Sequence, residues 1–125
     1  MESRSKRFVR AGDLPVSLIM ADCNYLKRTN DTLGHEYGDL LLQRVANVIQ
    51  ESVSPNDVAM RVGGDEFLIL CPKCSSDQAA ELIARIRRRL AARSDGILTL
   101  DVAFGSYTAQ DDSLTFDQVF HRADR

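Results

Sequence analysis

Apolar positions along the chain follow two rhythms, one of short continuous runs and one of helical spacing. Residues 16–21, VSLIMA, form a short apolar run behind Asp13 and Pro15, the pattern of a strand buried on both faces, with Asp22 at its C-terminal end. Asn24 is placed to cap a short helix running to about Asn30, and Gly34 interrupts that pattern. A second helix is predicted from Tyr37 or Gly38 to Ser52, because Leu41, Val45 and Val48 recur at helical spacing and Leu42, Ala46 and Ile49 widen the stripe. Pro55 and Asn56 turn the chain. Residues 57–62 then read as a strand, Gly63-Gly64 as a two-residue hairpin turn, and residues 66–71 as the returning strand. A third helix is predicted over 77–92, with Ala79, Ile83, Ile86 and Leu90 on one face. Residues 97–107 read as a further strand and 115–125 as the start of a last helix. The order β-α-α-β-β-α-β-α predicts an α+β fold of ferredoxin-like type, a mainly antiparallel sheet flanked by helices, without revealing the strand order.

Composition narrows the function classes. The chain has 125 residues, 16 Lys+Arg against 18 Asp+Glu, and no internal repeat or low-complexity tract, so it reads as one modest domain. A net charge of −2 supplies no general attraction to nucleic acid or to an anionic membrane. Arg85, Arg87, Arg88, Arg89 and Arg93 form one local basic cluster, read as a solvated helix face. The longest apolar run, residues 67–71, falls far short of the roughly 20 residues that span a bilayer. No apolar core of a secretory signal follows the charged start, so a cytoplasmic chain without membrane contact is expected. Three cysteines argue against a disulfide framework, and the Cys71/Cys74 pair lacks the further ligands of a tetrahedral zinc site.

Two acidic places have an unusual backbone setting. Asp22 ends an apolar strand ahead of a helix start, while Asp65 and Glu66 follow Gly63-Gly64 at a tight turn. If the two strands are neighbours, these carboxylates converge, as a Mg²⁺-assisted phosphoryl or nucleotidyl transfer requires. The backbone N–H groups of Cys23 to Lys27, entering a helix with Lys27 as a cation, suit an anion. Asp22 and Asp65 also read as a helix cap and a turn residue. Asn30 and Asp39 offer an amide and a carboxylate that together can read the Watson–Crick edge of guanine. On the residues alone they read first as a turn asparagine and an aspartate near a helix N-terminus.

The run R-V-G-G-D-E-F, Arg61 to Phe67, together with D-C-N-Y-L-K-R-T-N-D-T-L-G-H-E-Y-G-D, Asp22 to Asp39, closely resembles the GGDEF family of diguanylate cyclases. The similarity extends through L-T-L-D-V-A-F-G, Leu98 to Gly105, into H-R-A-D near residue 124, and covers almost the whole chain. The resemblance implies condensation of two GTP molecules into cyclic di-GMP with release of pyrophosphate, using Mg²⁺ or Mn²⁺. By position it makes Asp22 and Asp65 metal-binding carboxylates, with the Cys23 carbonyl as a further ligand. Glu66 is matched with the acid beside the 3′-hydroxyl nucleophile, and Lys27 with the lysine near the γ-phosphate. Asn30 and Asp39 match the guanine-reading pair, and Gly63 and Gly64 the residues that let the hairpin backbone approach the nucleotide. Asp31, Gly34 and His35 match the architectural N-D-x-x-G-H stretch.

Each family domain binds one GTP, so a homodimer is implied. The resemblance also implies that residues 1–125 form a single GGDEF domain without the family's D-x-L-T-G-L-x-N-R segment and without the lysine and arginine that follow A-D. At the family's R-x-x-D inhibitory site this chain has Ser54 and Asp57, so weak or absent product feedback is expected. The alternative reading is a catalytically inactive GTP-binding regulatory module of the same family.

Overall fold

The computed structural model describes residues 11–24, 26–96 and 98–110. Four strands, β1 (Val16–Cys23), β2 (Val58–Arg61), β3 (Glu66–Cys71) and β4 (Val102–Ala109), form one sheet in the order β2-β3-β1-β4, with every neighbour antiparallel. The helices are α1 (Leu26–Leu33), α2 (His35–Ser52) and α3 (Ser76–Arg93). This is the α+β, ferredoxin-like arrangement expected from the element order. The segment 115–125 lies outside the described residues.

The apolar run of β1 follows from its central place. Ile19, Ala21 and Cys23 alternate towards one face of the sheet, where Phe67, Ile69 and Cys71 of β3 join them against Leu41, Val45 and Ile49 of α2 and Leu82, Ile86 and Leu90 of α3. On the other face Leu18, Met20 and Leu68 are also buried, so no polar position interrupts the run until Asp22 except Ser17. Ser17 is fully buried but satisfied: its hydroxyl bonds the Cys74 carbonyl at 2.8 Å and the Thr108 hydroxyl at 2.8 Å. Cys71 lies in the core and Cys74 is half-buried, both as free thiols.

The helix ends have local causes. Gly34 alone separates α1 from α2, at φ 96° and ψ 166°, a region in effect reserved for glycine. Ser75 caps α3 in a reciprocal box, its hydroxyl accepting from Gln78 N–H at 3.2 Å while Gln78 Oε1 accepts from Ser75 N–H at 2.9 Å. Replacing Ser75 by alanine is expected to lower stability by about 1 kcal/mol, read as a shift in the urea midpoint at unchanged slope. An unshifted midpoint would show that the box contributes nothing.

Two expectations need correction. The strand predicted from 97 begins only at Val102. Leu98 and Leu100 are buried, which sustains the alternation, but their backbone groups turn to Asp95 and Ser94: Leu98 O accepts from Asp95 N–H, Leu98 N–H donates to Asp95 Oδ1, and Leu100 N–H donates to Ser94 Oγ. The basic cluster on α3 is likewise more than a solvated face. Arg89 donates to the Glu51 carbonyl at 2.8 Å, Arg93 pairs with the Glu51 carboxylate, and Arg87 lies 4.9 Å from the Phe104 ring centroid. These arginines fasten α3 to α2 and β4. The Arg93 guanidinium holds the Glu51 carboxyl below its usual range.

Candidate active site

The β1–β3 register places Asp22 directly opposite Glu66, on one face of the sheet near the end of β1. Such cross-strand partners have Cβ atoms about 4.5–5.5 Å apart. Asp65 immediately precedes Glu66, and its carbonyl accepts a 2.8 Å hydrogen bond from Cys23 N–H, tying the loop to the end of β1. Three acidic residues are therefore brought to one corner of the fold, as their settings in the sequence suggested. Asp22 and Asp65 are exposed and Glu66 is half-buried.

Two carboxylates facing each other across a strand pair favour a cation between them. Their hard oxygen donors fit Mg²⁺ or Mn²⁺ rather than a thiophilic ion. Among the described residues no group of three His, Cys, Asp or Glu side chains forms a ready metal cage. Burial, reinforced by the nearby Asp22 and Asp65 charges, pushes the Cys23 thiol up to about 12. The sulfur stays protonated in the core, so the backbone carbonyl is the only Cys23 atom suited to a hard cation.

The hairpin differs from the two-residue turn that its glycines suggested. Val62 N–H donates to Glu66 O at 3.0 Å and closes a three-residue loop of Gly63, Gly64 and Asp65. Arg61 accounts for this shape. Its Nε donates to Gly63 O at 3.1 Å and its Nη2 to Gly64 O at 2.8 Å, so one guanidinium occupies both glycine carbonyls. Neither glycine has a left-handed φ. A Cβ would meet nothing within 4 Å at Gly64, and only ordinary contact with Glu66 Oε1, 3.5 Å away, at Gly63. Contacts within the chain thus do not demand these two glycines. Their effect is to leave the outer side of the loop backbone bare.

The amides from Cys23 to Lys27 are less available than expected. Cys23 N–H is taken by Asp65 O and Asn24 N–H by Asp101 O at 3.2 Å. α1 begins at Leu26, and the Asn24 side-chain amide donates to the Asp101 carboxylate at 3.4 Å. Lys27 is exposed in the first turn of α1. Asn30 lies inside α1 rather than in a turn, and Asp39 is exposed in α2. A cavity of about 570 Å³ connects Asp39 to the hairpin, with walls from Asp39, Leu42 and Ala46 of α2, Arg61 of β2 and Phe67 of β3. At Ser54 and Asp57, Asp57 Oδ2 accepts from Ser54 N–H at 2.8 Å and Asp57 N–H donates to Ser54 O at 3.0 Å, so this carboxylate closes its own turn.

Two residues escaped the sequence reading. Arg61 was legible only as a cation two positions ahead of a glycine pair. Gly38 is buried in α2 against the Asn30 side chain, whereas the apolar stripe placed it only at the start of that helix.

The family model of the diguanylate cyclase GGDEF domain matches residues 1–125. Probable diguanylate cyclase DgcJ of Escherichia coli strain K12 is 36% identical over 125 residues, covering 91% of this chain and 25% of that protein. Diguanylate cyclase A of Treponema denticola is 32% identical over 116 residues, covering 88% of this chain and 31% of that protein. The chain thus spans about a quarter to a third of the length of these relatives. Among solved structures, the active GGEEF domain of a diguanylate cyclase from Vibrio cholerae matches with a TM-score of 0.80 at 28% identity, covering 88% of this chain and 72% of that one. The GGDEF domain of DgcB from Caulobacter crescentus, in complex with c-di-GMP, matches with a TM-score of 0.78 at 28% identity, covering 87% of this chain and 67% of that one.

Proposed function

Because the chain belongs to the GGDEF-domain family of diguanylate cyclases, we propose that it condenses two GTP molecules into cyclic di-GMP, each of two facing copies holding one nucleotide. The observation that carries this reading is the convergence of Asp22, Asp65 and Glu66 on one corner of the sheet. Asp22, Asp65 and the Cys23 carbonyl hold Mg²⁺ or Mn²⁺, which when bound neutralises phosphate charge and polarises the reacting phosphoryl group.

Glu66 accepts the proton of the ribose 3′-hydroxyl. The freed oxygen forms a bond to the α-phosphorus of the other GTP, the bond to the β-phosphate oxygen breaks, and pyrophosphate leaves; the same exchange in the opposite sense closes the ring. Lys27 offsets charge on the terminal phosphate. Gly63 and Gly64 let the loop backbone lie close to the nucleotide. Asn30 and Asp39 select guanine, whose N–H and amino donors meet a carboxylate where adenine presents an acceptor.

Purified chain at high concentration, incubated with Mg²⁺ and GTP, is expected to yield cyclic di-GMP and pyrophosphate by liquid chromatography and mass spectrometry, with a rate that rises more steeply than the first power of protein concentration. GTP that binds and is recovered unchanged would favour the regulatory module instead.

A further inference from the structure

We propose that Gly38 sets the choice of purine by leaving the space that holds the Asn30 side chain, an inference that rests on Asn30 and Asp39 being the guanine-reading pair. A glycine inside a helix costs about 1 kcal/mol relative to alanine, so its presence there needs a local cause. Backbone conformation does not supply one, because Gly38 has no left-handed φ, unlike Gly34. The cause is a side chain on the neighbouring helix. A Cβ at position 38 would lie 1.7 Å from Asn30 Oδ1 and 2.8 Å from Asn30 Cγ. Both separations are far inside van der Waals contact, so any side chain at 38 must displace the Asn30 amide.

The backbone offers little other relief. Gly34 N–H donates to Asn30 O at 3.0 Å, and Gly38 N–H donates to Gly34 O at 3.2 Å, so a chain of hydrogen bonds runs from Asn30 through Gly34 to Gly38. Sliding α1 away from α2 would break it. Rotating the Asn30 side chain breaks none of these bonds, so the displacement falls on the atoms proposed to touch the base. Asp39, the next residue after Gly38, lines the cavity that reaches the hairpin. One missing side chain therefore sets where the amide stands relative to the carboxylate. Gly38 is a positioning residue, acting through Asn30.

The test uses calorimetric titration of the full chain and its variants with the α,β-methylene analogues of GTP and ATP, which cannot release pyrophosphate. Gly38→Ala is expected to weaken the GTP analogue about tenfold and leave the ATP analogue unchanged, the size of one lost hydrogen-bonded base contact. Because alanine favours the helix, the same variant should melt no lower than the parent, a combination that loss of structure would not produce. In the Asn30→Ala background Gly38→Ala should have no further effect, since the atoms it would strike are gone. Equal loss for both analogues, or effects that add in the double variant, would overturn the inference. An Asn30→Ala chain that keeps its full preference for the GTP analogue would remove the guanine reading itself, and Gly38 with it. Should Gly38→Ala fail to fold, Asn30→Ala/Gly38→Ala must recover the fold; if it does not, the clash with Asn30 is not the reason for the glycine.

Discussion

Asparagine in place of Asp65 is expected to leave a chain that folds normally and produces cyclic di-GMP at least ~1,000-fold more slowly, a barrier increase of about 4 kcal/mol. The substitution keeps the shape of the side chain and removes its charge. It does not touch the bond that fastens the loop, because Cys23 N–H is received by the Asp65 backbone carbonyl. The side chain is exposed, so no core contact is lost and the melting curve should move within the range of ordinary surface substitutions, about 0.5 kcal/mol. Pyrophosphate release and thermal melting, measured on the same preparation, separate the two effects. A variant that turns over GTP at the parent rate would take Asp65 out of the reaction.

Asp22→Asn tests the other strand without relying on turnover. At a Mn²⁺ concentration about ten times its dissociation constant, metal binding should stabilise the parent chain by ~1.4 kcal/mol, roughly 5 °C in melting temperature. Asp22→Asn should lose that shift because Asp22 is one of the two carboxylates proposed to hold the cation, and its cyclase rate should fall at least ~100-fold. An undiminished Mn²⁺ shift would mean that the cation binds elsewhere.

Local signals and long-range consequences differ in how far the sequence discloses them. β3 was read to its residue limits because an apolar run lies between a glycine pair and a proline, both of which act on their own neighbours. The two long helices were read to within two or three residues at either end, for their stripes face a core that needs continuous apolar surface. β4 began later than its alternation implied, because burial of Leu98 and Leu100 does not require pairing in the sheet. For the site, a carboxylate ending a strand and two more at a hairpin were plain, whereas their direct opposition followed only from the order β2-β3-β1-β4. The Arg61 fork on the loop carbonyls depends on side-chain reach within a folded hairpin, which spacing does not encode. Residue chemistry alone left Lys27 a cation beside a helix start and Asn30 and Asp39 a donor–acceptor pair with an ordinary structural reading; resemblance to the family singled out their roles.

The central place of β1 also governs when the acidic corner can come into being. β1 precedes both of its neighbours in the chain: one arrives with residues 66–71 and the other only with 102–109, where Val16 meets Ala109. Loop closure over that distance is slow compared with helix formation, so α2 and α3 are free to form while β1 still waits for its second neighbour. Until then a nascent chain presents β1 as an open edge, rich in Ile, Leu and Met, of the kind that recruits other strands. Chains interrupted between residues 72 and 101 should therefore accumulate as insoluble protein rather than as weak enzyme, since β4 shields one edge of β1.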